Sequence, residues 1–138
     1  MKYGDVLEKI LGHKKKLIEE NKIKSPINVL DKSIQNNSAP DFLSIFDSSN
    51  VALIAEIKRS SASAGEINKN LDLEEFALDY ITNGASAISI LTEKTKFSGS
   101  ISDLKKISEI GRKTNTPILQ KDFIVDEYDG NSISRETD

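Results

Sequence analysis

Three charged residues stand where a folded chain could do chemistry. Glu56 and Lys58 lie two apart at the end of the run Val51-Ala52-Leu53-Ile54-Ala55-Glu56-Ile57-Lys58. In an extended strand that spacing puts both on one face, with Ala52 and Ile54. Lys121 ends a second run, Thr116-Pro117-Ile118-Leu119-Gln120-Lys121, on the face of Leu119. In parallel α/β folds, ligands and catalysis gather at the carboxyl ends of strands. A carboxylate and two ammonium groups there are costly unless they are paired or used. Desolvation disfavours the charged lysines, and a nearby Glu56 favours them. Such a cluster can hold a general acid and bind an anionic substrate. The same spacing also fits a simple strand-end ion pair with Lys121 passing into solvent, and spacing alone leaves both readings open.

Around these residues the signals are weaker. The stretch Ser60-Ser61-Ala62-Ser63-Ala64-Gly65 reads as a flexible connector and lacks the spacing of a phosphate-binding glycine motif. Phe97 and Phe123 follow strand ends, where they suit core or lid packing and equally suit stacking on an aromatic substrate. The single His13 has no evident partner and reads as a surface histidine.

The elements that must carry these residues form a regular series. Residues 4–23 read as an amphipathic helix with Val6, Leu7, Ile10, Leu11, Leu17 and Ile18 on its apolar side, and Lys14–Lys16 with Glu19–Glu20 on a solvated face. Turn clusters at Ser25-Pro26 and Asn36–Pro40 flank a possible short helix around Val29–Ile34. After residue 51 the order is strand, helix, strand, helix, strand. The first run, continuously apolar at its start, reads as a strand buried on both faces. Asp72 caps a helix carrying Leu73, Phe76, Ala77, Tyr80 and Ile81, and Asn83-Gly84 ends it. Ala87–Thr92 is the second strand, and Ser100 opens a helix with Leu104, Ile107 and Ile110 inside. With no hairpin signal between them, these predict two βαβ units in one parallel sheet.

Composition bounds what such a sheet can serve. The chain has 138 residues, 19 Lys+Arg against 22 Asp+Glu and a net charge of −3, so no basic field points to nucleic acid. No apolar run approaches the roughly 20 residues of a membrane helix, and Met1–Asp5 does not begin a secretory signal. The absence of Cys excludes disulfides and thiolate metal sites and suits a reducing cytoplasm. A complete (β/α)₈ barrel needs about 200 residues or more, which this length excludes.

Four segments together resemble one family. They are Ile54-Ala55-Glu56-Ile57-Lys58-Arg59-Ser60-Ser61-Ala62-Ser63, Ala87-Ile88-Ser89-Ile90-Leu91-Thr92-Glu93, Phe97-Ser98-Gly99-Ser100 and Pro117-Ile118-Leu119-Gln120-Lys121-Asp122-Phe123-Ile124. In order and spacing they strongly resemble indole-3-glycerol-phosphate synthase, a (β/α)₈-barrel enzyme of tryptophan biosynthesis. The likeness covers about residues 40–128, and the preceding helices resemble that family's N-terminal extension. It implies an α/β fold: a helical extension over 1–50, then β1-α1-β2-α2-β3 of a barrel over 51–128, incomplete in this chain. It implies a carboxy-lyase that cyclises 1-(2-carboxyphenylamino)-1-deoxyribulose 5-phosphate with loss of CO₂ and water, using no cofactor and no metal. Lys121 matches the family's general acid toward the substrate carbonyl. Lys58 matches the lysine that pairs with the substrate carboxylate, and Glu56 the carboxylate that orients both. Ser61 matches a substrate-contacting serine, while Phe97 and Phe123 match aromatics around the anthranilate ring.

Two departures from the family follow. Its S-P-S turn reads Ser61-Ala62-Ser63 here, which removes a proline that fixes φ and is expected to loosen the loop. After Tyr128 the family continues into a further helix and five strands, whereas residues 129–138 read as a polar, non-family tail, from a frameshift, a premature stop or an artificial chain boundary. The family's principal glutamate base, its asparagine partner and its phosphate site belong to that later part. The expectation is therefore either an enzyme half or a non-catalytic fragment that folds by self-association or with a complementing half. Another phosphate-binding barrel, phosphoribosylanthranilate isomerase, is the remaining alternative, and the Lys121-Asp122-Phe123 strand end and the N-terminal extension argue against it.

Overall fold

The computed structural model describes residues 3–24, 26, 39–47 and 50–129. The helix expected around Val29–Ile34 and the tail beyond Asp129 lie outside the described residues. The chain divides into two compact units, Ser38–Asp122 and a unit made of Met1–Asn37 with Phe123–Asp138.

The Ser38–Asp122 unit is built on a three-stranded parallel sheet. Its strands are β1 (Ile54–Ile57), β4 (Ala87–Leu91) and β5 (Ile118–Lys121), in the order β1-β4-β5. The register aligns Glu56 with Ser89 and Ser89 with Leu119, and two residues further on it aligns Leu91 with Lys121. Helix α2 (Leu73–Thr82) and helix α4 (Ile101–Thr114) connect the strands and pack against the sheet and each other. Their Leu73, Ala77, Leu104, Ile107 and Ile110 are buried together with Ile57, Ile88 and Ile90 of the strands. Pleating leaves the opposite row, with Ile54, Glu56, Ser89, Leu91, Leu119 and Lys121, on the other face. This is the α/β parallel-sheet architecture that the alternation of elements predicts.

Local chemistry sets the helix ends. The Asp72 side chain accepts the Glu74 and Glu75 amides, and Gly84 beyond the last turn takes φ +94°. Ser100 Oγ accepts the Asp103 amide. Gly111 is required where α4 meets β5: a Cβ there would lie 2.6 Å from both Thr116 O and Ile118 Cγ1.

Two expectations for this unit need correcting. Strand β4 is buried along its whole length, but Leu53 and Ile54 are exposed, so the first strand is not buried on both faces. It is an edge of the sheet, and the helices cover only the side of Ile57. The connector after Arg59 also contains a small hairpin. Strands β2 (Ser60–Ser61) and β3 (Gly65–Glu66) pair antiparallel, aided by φ +69° at Gly65 and by Ser61 Oγ accepting the Ala64 amide at 3.0 Å. Ser61–Gly65 escapes the usual two-residue hairpin signature because a side-chain hydroxyl closes the turn.

The other unit contains α1 (Tyr3–Lys24) and a helical turn at 127–129. Ile18 and Tyr128 form a buried cluster. The buried line along α1 is Ile10, Lys14 and Ile18, four residues apart each time, while Leu7 and Leu17 are each 43% exposed. Lys14 is therefore not part of a solvated face. Its ammonium reaches Asp129 at 3.2 Å, and a burial that would be costly for one charge is offset by the other. Asp129 itself, assigned from sequence to the polar tail, is buried. Lys22 pairs with Asp126 at 2.9 Å, and His13 is exposed as expected.

Candidate active site

At the carboxyl end of the sheet, Glu56 receives both lysines. Lys58 Nζ donates to Glu56 Oε1 at 2.6 Å, and Lys121 Nζ donates to Glu56 Oε2 from β5, across the central strand. The side chains of Glu56, Lys58 and Lys121 are 26%, 39% and 54% exposed. Burial is the largest influence on the Glu56 carboxyl and pushes it up. Hydrogen bonds from Lys121 and Lys58, with their charges, outweigh it and hold Glu56 below the ordinary carboxylate range. The group carries one negative and two positive charges, so it keeps a net positive charge directed away from the helices. Both lysines hold their partner at the tip of a flexible stem, and an arriving anion can draw either one away.

The remaining candidates are placed less directly. Ser61 sits in β2 with its hydroxyl turned to the Ala64 amide of its own loop. Phe97 is half-buried at the end of the short helix α3 (Lys94–Phe97). Phe123 is half-buried and belongs to the unit that contains α1. Of these candidates, Glu56, Lys58 and Lys121 form one hydrogen-bonded group.

Several residues outside the sequence-based candidates shape this end of the sheet. Arg59 ties down the loop after β1. Its guanidinium donates to Asp103 Oδ1 at 3.1 Å and to the Leu71 carbonyl at 3.0 Å, while its own carbonyl accepts the Ile67 and Asn68 amides. Ser60 Oγ lies 3.1 Å from both the Lys96 carbonyl and Ser98 Oγ, joining the first loop to the second. Glu93, fully buried, accepts the amides of Thr95, Lys96 and Phe97 and so aims the Phe97 turn. The turn closes over β4 so tightly that a Cβ on Gly99 would lie 2.7 Å from the Leu91 carbonyl carbon. Thr92 donates to Asp122 at 2.7 Å and accepts from Gln120, which aligns the ends of β4 and β5.

Ser89 is different again. It is 4% exposed, and its hydroxyl is the one buried side-chain polar atom among the described residues without a hydrogen-bond partner. A buried, unsatisfied hydroxyl costs about 1–3 kcal/mol. Glu93 had a readable signal, a carboxylate just before a short turn. Arg59 and Ser89 had none, because their partners, or lack of them, depend on distant segments.

The sequence profile described as indole-3-glycerol phosphate synthase matches residues 7–133, nearly the whole chain. The chain belongs to the indole-3-glycerol phosphate synthase family. Curated proteins of that name are 39% identical to it in Thermoanaerobacter pseudethanolicus over 123 residues, Dehalococcoides mccartyi over 125 and Campylobacter jejuni over 127. Each match takes in 89% of this chain and 46–48% of the relative, so the chain spans about half the length of these synthases. Membership in the synthase family sets aside the isomerase alternative. The parallel sheet with its helices is consistent with part of the (β/α)₈ barrel that the resemblance implied.

Proposed function

We propose that this chain supplies the first part of an indole-3-glycerol phosphate synthase active site, acting on 1-(2-carboxyphenylamino)-1-deoxyribulose 5-phosphate. The observation that carries this reading is the pair of lysines from two strands sharing the Glu56 carboxylate. Lys121 gives a proton to the ketone oxygen of the sugar chain, so that the carbonyl carbon accepts the attack of the anthranilate ring carbon. Lys58 pairs with the ring carboxylate, which leaves as CO₂ once the new carbon–carbon bond has formed. Loss of CO₂ restores the aromatic six-membered ring; the new hydroxyl then takes a second proton and leaves as water, and a proton lost from the adjacent CH₂ completes the indole. Glu56 keeps both ammonium groups aimed until the substrate takes its place.

In the same reading the Ser61 hydroxyl, which accepts the Ala64 amide, donates its hydrogen to the substrate, and Phe97 stacks on the anthranilate ring. The substrate is a small phosphorylated molecule, and the work is done in the cytoplasm without metal or cofactor. Among the described residues no helix is long and apolar enough to cross a membrane, which accords with that setting. Turnover also needs groups from the remaining half of the synthase, supplied by a complementing segment or by self-association, because catalytic groups act as a unit.

The test is to assay indole-glycerol phosphate formation by the 138-residue chain, alone and with the C-terminal half of the Thermoanaerobacter pseudethanolicus relative. Product is expected on complementation and lost with Lys121→Ala. No product in either arm, with substrate that a full-length relative converts, would refute the reading.

A further inference from the structure

Beyond the lysine cluster, one buried side-chain polar atom among the described residues has no hydrogen-bond partner. Ser89 lies in the central strand, and the register places it level with Glu56 on one side and Leu119 on the other. Pleating puts all three on the face away from α2 and α4, the face that carries Lys121 one step further along. Its neighbours in the same row of β4, Ala87 and Leu91, are buried and apolar. Ser89 is the exception, 96% buried by its 4% exposure and unpaired. An alanine would fill this place without the desolvation cost of a hydroxyl.

We propose that Ser89 is a substrate-binding residue, which donates its hydroxyl hydrogen to a neutral oxygen of the ligand's sugar chain at the floor of the Glu56–Lys58–Lys121 group. The proposal rests on the reading of that group as the synthase site. The ammonium groups suit the ligand's charged carboxylate, and a neutral hydroxyl at the floor suits a hydroxyl or carbonyl oxygen. The unpaired state of Ser89 in the free chain and its burial on the site face are then two aspects of one arrangement: the donor is held ready, and the ligand completes it.

The experiment is a fluorescence titration of the full chain, complemented by the C-terminal half of the Thermoanaerobacter pseudethanolicus relative, with 1-(2-carboxyphenylamino)-1-deoxyribulose 5-phosphate. The anthranilate group reports on binding, and the chain has no Trp to interfere. Wild type, Ser89→Ala and Lys121→Ala are compared, each with its urea unfolding midpoint. For Ser89→Ala the expected result is a Kd about five- to tenfold weaker, the effect of one neutral hydrogen bond, with a midpoint equal to or above wild type. That combination separates a ligand contact from a structural one. An unchanged Kd for Ser89→Ala, with wild type binding and Lys121→Ala weakened, overturns the assignment of Ser89 and leaves the site standing. A lowered midpoint for Ser89→Ala assigns the hydroxyl to structure and also overturns it. If wild type does not bind, or Lys121→Ala binds as wild type does, the reading of the site fails and the role of Ser89 with it.

Discussion

Two glutamates sit at the ends of neighbouring strands, and their surroundings are opposite. Glu93, just past β4, is 2% exposed and accepts three backbone amides. Glu56, at the end of β1, is half-buried and accepts two lysine ammonium groups. Both carboxyls are held below the ordinary range although burial alone would raise them. At Glu93 the partners are the Thr95 hydroxyl and three peptide groups of one turn, which cannot leave without unfolding it. At Glu56 they are side-chain tips that a ligand can redirect. A carboxylate satisfied by backbone builds a loop, and one satisfied by mobile cations is available for chemistry.

The comparison can be broken by substitution. The largest effect is expected for Lys121→Ala in the complemented assembly, a loss in kcat of about 100-fold or more, as for removal of a general acid. Near-normal turnover would leave Glu56 and Lys121 as a structural ion pair. Next, Glu93→Ala strands three amides and should cost about 2–3 kcal/mol in urea unfolding. Glu56→Gln, half-buried and paired with partly exposed lysines, should cost less than about 1 kcal/mol after solvent screening. The reverse order would contradict the division of roles. Gly99→Ala, which forces a methyl against the Leu91 backbone, is expected to cost about 1–2 kcal/mol by the same measurement.

Acid sensitivity sharpens the same contrast with a smaller effect. Because both folded carboxyls titrate below their unfolded value of about 4.3, their stabilisation is complete above that pH. It is lost as the pH falls through the folded values, since the unfolded chain then binds more protons. Unfolding midpoints measured from pH 6 down to about pH 3 should therefore decline. The decline should be shallower in Glu56→Gln and in Glu93→Ala than in wild type. Equal slopes in all three proteins would contradict the directions assigned here. The smallest effect is expected for Lys69→Ala, whose exposed pair with Glu66 should leave the unfolding midpoint unchanged.

Much of the fold was legible because its signals are local. Asp72, Gly84 and Ser100 mark helix ends by their own side chains or lack of one, and the short runs at Ala87–Leu91 and Ile118–Lys121 mark strands. The candidate site was legible in part for the same reason: the two-residue spacing of Glu56 and Lys58 fixes a shared face. The hairpin after Arg59 was not legible, since it depends on the Ser61 hydroxyl reaching Ala64 rather than on a turn dipeptide. Nor was Lys14, whose burial rests on Asp129, 115 residues away.

Sequence alone thus determined the alternation of strands and helices, the residues able to carry charge at the strand ends, and the family likeness, since each follows from short-range periodicity or contiguous motifs. Tertiary structure decided which charges meet. Only parallel pairing through β4 brings Lys121 to the free oxygen of Glu56, and only the register reveals that Ser89 lies unpaired beside it. The physical reason is range: periodicity and caps act within a few residues, whereas desolvation and ion pairing depend on groups that the chain brings together from far apart.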